Sequence, residues 1–308
     1  MWKRLPAVFL VLLPLALLPG CGGGASSAGG GSHAPTRVAV LVLENHEVGD
    51  ILGDPRAPYL SSLAQKHAVA TSAFALVHPS LPNYIALVAG RTAGITTDCV
   101  PSNCAVTGPS LVDQLEAHGI SWRGYMESMP KPCFHFSGDE LGRYAQRHNP
   151  FAYLPAVWSR PERCQKVVPF SELHDDMRHG MPRFSWITPN LCHDMHDCGI
   201  AAGDNWLRRT VPPLLRALGP NGVLILTFDE GTTDEGCCNA AHGGQIATIL
   251  AGEGARRLAR DDQAVDHYST LATVETLLGL PKLGDSRSAP TLTALVTGAA
   301  TAAAHEQQ

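Results

Sequence analysis

Two apolar runs, Val38 to Leu43 and Gly222 to Phe228, constrain this chain more than any other feature. Each is short, rich in branched residues and almost free of polar alternation, the pattern of a strand buried on both faces. Each also ends in groups that favour water: Glu44-Asn45 after the first and Asp229-Glu230 after the second. Around them, strand and helix signals alternate. Pro58 to His67 reads as a helix, Ala68 to Ala75 as a strand, and Ser110 to His118 as a capped amphipathic helix ended by Gly119. Ile120 to Met126, Phe184 to Thr188 and Gln245 to Leu250 are further strands. Asp204 to Leu218 reads as a helix that Pro212-Pro213 should kink or split, and Ser269 to Leu278 as one stopped by Gly279 and Pro281. This alternation implies an α/β layered fold, a mostly parallel sheet with helices on both faces. In such sheets ligands bind beyond the carboxyl ends of the strands, where both acidic pairs should lie. Pro130 to Pro182, dense in Pro, His and aromatic residues, has little periodicity and is expected to be a disulfide-containing insertion over one end of the sheet.

The N-terminus follows different rules. Met1-Trp2-Lys3-Arg4 and the apolar run to Leu18 have the basic head and short greasy middle of an export signal. Leu18-Pro19-Gly20-Cys21 reads as a lipoprotein cleavage site, so residues 1–21 are expected to be a signal peptide with Cys21 acylated, simple secretion being the alternative. Residues 22–36 follow as a flexible Gly/Ser tether, 37–297 form the folded domain, and the Ala-rich 298–308 are expected to be a disordered tail. The protein should then work outside the cytoplasm, touching a membrane only through that lipid anchor. Removing Lys3 and Arg4 from 23 basic and 28 acidic residues leaves 21 minus 28, a net charge of −7. No run of four or more Lys or Arg occurs, which disfavours nucleic acid and polybasic membrane docking. An acidic protein that handles anions needs a local positive centre, and a metal would supply one.

Of nine cysteines, eight remain beyond Cys21, an even number that favours disulfides in an exported chain. Cys99–Cys104 and Cys133–Cys164 are plausible local bridges. Adjacent cysteines have Cα atoms only about 3.8 Å apart, below the usual disulfide range. Cys237 and Cys238 are therefore each expected to bond one of Cys192 and Cys198.

A third stretch is His78-Pro79-Ser80-Leu81-Pro82-Asn83-Tyr84, a serine between two prolines ahead of an apolar run. Pro82 suits the first turn of a helix, which makes Ser80 the expected N-cap, in the positive field of unpaired amides. Taken alone, a capping serine needs no further role. Carboxylates gathered at one sheet edge would repel unless a cation joined them, and oxygens from Glu44, Asn45, Asp229 and Glu230 would suit magnesium, manganese, calcium or zinc. Pro189 to Cys198 adds His193, Asp194, His196 and Asp197, which could ligate metal, move protons or simply form a pinned polar loop. His267 precedes a helix and is equally ambiguous, and His242 reads as a loop residue beside turn glycines.

The ordered set Glu44-Asn45, His78 to Tyr84, Pro189-Asn190 through Asp197, Gly203-Asp204-x-Trp206-Leu207, Phe228-Asp229-Glu230 and His267-Tyr268-Ser269 resembles the phosphoesterase family of bacterial phospholipases C and secreted acid phosphatases. Within it the chain is most similar to the mycobacterial-type secreted acid phosphatases, from about Val38 to Gly284. The resemblance implies an alkaline-phosphatase-like fold and a metal-dependent phosphoric-ester hydrolase. It implies Ser80 as nucleophile and metal ligand, with Glu44, Asn45, Asp229 and Glu230 completing the metal site. His196 and His267 would act as proton donors or phosphate contacts, and Asn83, Asn190 and His193 would contact phosphate. Leu81, His193 and the Gly236-Cys237-Cys238-Asn239 segment depart from the family pattern and leave the substrate open. The implied substrate is a phosphomonoester small molecule, cleaved through a phosphoserine. The alternatives are a phospholipase C acting on phospholipid head groups and a non-catalytic phosphate-binding lipoprotein. A carboxyl-ester hydrolase is disfavoured, because Gly-x-Ser-x-Gly is absent around Ser80.

Overall fold

A computed structural model describes residues 1–2, 36–138 and 141–297. The expected leader, Cys21, most of the tether and the C-terminal tail fall outside the described residues. The chain divides into two units, Met1–His33 and Ala34–Gln308, and the second contains everything that follows.

The strands are β1 (Val38–Leu43), β2 (Ala68–Ala70), β3 (Trp122–Met126), β4 (Val167–Pro169), β5 (Phe184–Thr188), β6 (Val223–Phe228), β7 (Thr248–Ala251) and β8 (Arg260–Asp261). They form one sheet in the order β4-β3-β5-β1-β6-β7-β2-β8. Helices of seven residues or more are α1 (Pro58–Lys66), α2 (Ser80–Ala89), α3 (Leu111–Ala117), α4 (Ser171–His179), α5 (Ile200–Leu218) and α6 (His267–Leu278). β1 lies parallel between β5 and β6, and all six of its residues are buried, so helices must cover both faces of the sheet there. Helix α2 packs on α6 and α3, and α5 packs on α1 and α4. The β1–β6 register sets Leu43 beside Phe228, which brings the two acidic strand ends together.

Several expectations needed correcting. The strand expected over Gln245 to Leu250 is β7, and it runs antiparallel to both β6 and β2. Only Ala68–Ala70 of the predicted 68–75 strand joins the ladder, with isolated bridges at Ala73 and Phe74. The 130–182 segment is more than a covering insertion, since it supplies edge strand β4, paired with β3, and helix α4. Helix α5 starts four residues before Asp204 and runs unbroken through Pro212-Pro213. Those prolines free the carbonyls of residues 208 and 209, both exposed residues, while Val211 and Leu214 stay buried.

The disulfides also differ. Cys99–Cys104 and Cys133–Cys164 form as expected. Cys192 instead pairs with Cys198 across a tight loop, Cα atoms 4.6 Å apart, and Cys237 pairs with its neighbour Cys238. The loop after β5 folds back on itself, so Cys192 and Cys198 meet each other before either reaches the 237–238 turn. No helix of the described residues is long and apolar enough to cross a membrane.

Candidate active site

The acidic strand ends and α2 converge on one hydroxyl. Pro79 caps α2 and Ser80 is its first residue, so Ser80 is not the N-cap expected from the sequence. The reason lies one turn on, at Asn83. Its Oδ1 accepts from the amides of Leu76 and Val77, and its Nδ2 donates to the carbonyls of Val77 and Pro79. Asn83 thus closes the loop that enters α2 and leaves the serine oxygen free. Expected to hold phosphate, it has both ends of its amide committed to backbone instead.

Ser80 Oγ lies 3.2 Å from Glu44 Oε2 and 3.4 Å from Glu230 Oε1. One hydroxyl hydrogen cannot serve both carboxylates at once. Asp229 Oδ1 accepts from the amides of Asn45 and Glu230, at 3.1 and 2.6 Å, while Asp229 Oδ2 and Asn45 Oδ1 are buried without a partner. Asn45 has φ of 55°, a left-handed turn that Asn tolerates better than most residues. Burial and the charges of Asp229 and Asp194 push Glu44 well above the usual carboxylate range. Burial, then Glu230, raises Asp229 to about 8. Burial likewise raises Glu230, against the pull of His78, whose Nδ1 sits 2.9 Å away. Four oxygen ligands, two of them orphaned and three carried by strained carboxylates, fit a divalent cation well.

A second buried group adjoins this one. His148 Nε2 lies 3.3 Å from Glu44 Oε1, and its Nδ1 lies 3.3 Å from Asp194 Oδ2. Neither ring nitrogen makes an aligned hydrogen bond. Burial lowers His148 well below its ordinary value and raises Asp194 to about 7. Tyr84 stacks on the His148 ring and donates to Glu44 Oε1 at 2.5 Å. Neither His148 nor Tyr84, the last residue of the serine motif, carried an expected role. His148 falls in the aperiodic 130–182 segment among other histidines, with no local pattern to mark it.

The remaining expected residues divide into two groups. His196 stands at the open side, with Nδ1 2.6 Å from Asp197 and Nε2 3.2 Å from the Arg147 guanidinium, which also pairs with Asp98. Asp98 in turn accepts from the amide of Leu81, next to Ser80. His267 is fully buried, its Nε2 against the Asp229 carbonyl at 2.5 Å, and burial lowers its pKa. Asn190 and His193, expected at the phosphate, belong to a separate network. Glu127 accepts from the Asn190 amide and from Trp206 Nε1, and lies 2.9 Å from His193 Nδ1. Asn190 Oδ1 caps the amides of Cys192 and His193. Gly203 lets α5 approach this loop, because a Cβ there would lie 2.8 Å from the His193 carbonyl.

Comparison with known proteins places this geometry. The solved structure of an alkaline phosphatase superfamily protein from Vibrio parahaemolyticus superposes with a TM-score of 0.57 at 13% identity, covering 83% of this chain and 70% of that one. The architecture is therefore alkaline-phosphatase-like. The Phosphoesterase family matches residues 44–281, and the chain belongs to that family, as a hydrolase of phosphoric esters. It is 35% identical over 269 residues to a phosphatidylinositol-3-phosphatase of Mycobacterium tuberculosis, covering 85% of this chain and 84% of that protein. It is 33% identical to a phosphate-repressible acid phosphatase of Penicillium chrysogenum, covering 73% of this chain. The match spans only about half, 55%, of that fungal protein's length.

Proposed function

We propose that this chain is a metal-dependent phosphomonoesterase that works through a phosphoserine at Ser80. One observation carries the reading: a hydroxyl at a helix start, 3.2 Å and 3.4 Å from carboxylates delivered by two different strands, with buried ligand oxygens beside it left unpaired. Glu44, Asn45, Asp229, Glu230 and Ser80 would hold the cation. When bound, it would lower the pKa of the serine hydroxyl and neutralise charge on the phosphoryl oxygens.

The residues supply the rest. Ser80 Oγ forms the bond to phosphorus while the bond to the leaving oxygen breaks; the nearest acceptors for its proton are Glu44 Oε2 and Glu230 Oε1. His196, exposed and paired with Asp197, would protonate the leaving oxygen. It suits this role better than His267, which is enclosed and tied to backbone. Arg147, fixed by Asp98, would meet a phosphate oxygen. Water then attacks the phosphoserine, releasing phosphate and restoring the serine. The four disulfides favour an oxidising compartment, in keeping with an exported protein anchored through Cys21 or secreted. The names of the mycobacterial and fungal relatives favour phosphomonoesters over the diesters of a phospholipase C.

Ser80→Ala is expected to lower phosphatase turnover by roughly three or more orders of magnitude. Mass spectrometry of acid-quenched wild type should find phosphate on Ser80. Near-normal turnover in Ser80→Ala would end the covalent reading.

A further inference from the structure

The structure also contains an apolar pocket of about 390 Å³, lined by Val100, Pro101, His135, Phe136, Gln146 and Trp158, with Ser102 and Ser137 at its edge. Among the described residues, no Lys, Arg, Asp or Glu lines it. His135 stacks between Phe136, ring centroids 4.6 Å apart, and Trp158, 5.8 Å apart. Phe136 is 62% exposed, Val100 47% and Trp158 40%, a cluster of large apolar groups open to water. Such a patch marks a place where something apolar is received. Both walls are braced by disulfides. Val100 to Ser102 lie inside the Cys99–Cys104 loop, and His135-Phe136 follow Cys133, which bonds Cys164.

The pocket continues toward Asp98, which accepts from the Leu81 amide next to Ser80. A second cavity shares Val100, Ser137 and Gln146 with the first and reaches Asp98, Arg147 and Leu191. Three consecutive residues make the same connection through the backbone. Gln146 lines the apolar pocket, Arg147 contacts Asp98 and His196, and His148 touches Glu44. Two Cα steps of about 3.8 Å put Gln146 and His148 no more than roughly 8 Å apart.

We infer that this pocket receives the leaving group of the substrate, an uncharged apolar group esterified to the phosphate that Ser80 attacks. The assignment rests on the phosphatase reading for the position of the phosphate. The described lining selects the chemistry: the stacked rings of His135, Phe136 and Trp158 and the aliphatic Val100 and Pro101 offer apolar surface. Preformed walls mean that little ordering is needed on binding.

n-Alkyl phosphates from ethyl to octyl test this, because their leaving groups differ in length and hardly in reactivity. For wild type, kcat/KM should rise up to about fourfold per added methylene until the cavity is full. Trp158→Ala should flatten that rise. A flat series in wild type, or the same slope in Trp158→Ala, overturns the inference. Calorimetric binding of n-octylphosphonate against ethylphosphonate gives a readout free of turnover. Tighter octyl binding that depends on Trp158 supports the pocket even where no ester is hydrolysed, a result that would count against Ser80 chemistry alone. Equal binding of the two phosphonates overturns it.

Discussion

Without a cation, the carboxylates around Ser80 should make the protein less stable as the pH rises. Asp194 is raised to about 7 and Asp229 to about 8, chiefly by burial, against about 3.9 for an aspartate in an unfolded chain. Between those limits the folded protein keeps a proton that the unfolded chain has lost. Stability that is full below about pH 4 is therefore lost as pH climbs, by about 1.4 kcal/mol per unit for each such group. From pH 5 to pH 7 a single carboxyl costs about 3 kcal/mol, or roughly 6–12 °C of Tm in a domain of this size. A bound cation holds the same groups ionised and removes the slope. Scanning calorimetry of chelator-treated protein should show Tm falling from pH 5 to pH 8. Added magnesium, manganese, calcium or zinc should raise Tm far more at pH 8 than at pH 5. Asp229→Asn should weaken both the slope and the metal-dependent rise. An apoprotein Tm that is flat or increases over this range would refute the reasoning, as would a metal-induced rise of equal size at both pH values.

Three other outcomes are expected. Asn83→Ala should cost about 2–3 kcal/mol in denaturant unfolding by releasing the buried amides of Leu76 and Val77; a group that only touched phosphate would weaken inhibition by inorganic phosphate and leave stability alone. His148→Ala should lose about 3 kcal/mol and lower metal affinity in equilibrium dialysis, since it leaves Glu44 and Asp194 facing a void. Non-reducing peptide maps should recover Cys192 joined to Cys198 and no peptide linking either to the 237–238 segment.

The two central strands were legible because burial on both faces leaves nothing but apolar residues in β1 and β6. The acids after them were legible for the converse reason: a charge directly after such a run must sit where the sheet ends. Motif order then added the serine. The direction of β7, the continuity of α5 through two prolines, and the pairing of Cys192 with Cys198 were not legible, because each depends on what lies across space. The same holds for the side chains that work at second hand. The amide of Asn83 closes the loop into α2, and Glu127 joins Asn190, His193 and Trp206, links that no spacing in the sequence marks.

The amino-acid order by itself determined the layered α/β fold and which oxygens would crowd one sheet edge, since hydrophobic periodicity is a local property of the chain. The tertiary structure alone decided that His148 would stand between Glu44 and Asp194, and that an aromatic pocket would open beside Arg147. Those neighbours come from an aperiodic segment whose position is set by packing and disulfides, and packing leaves no spacing in the sequence.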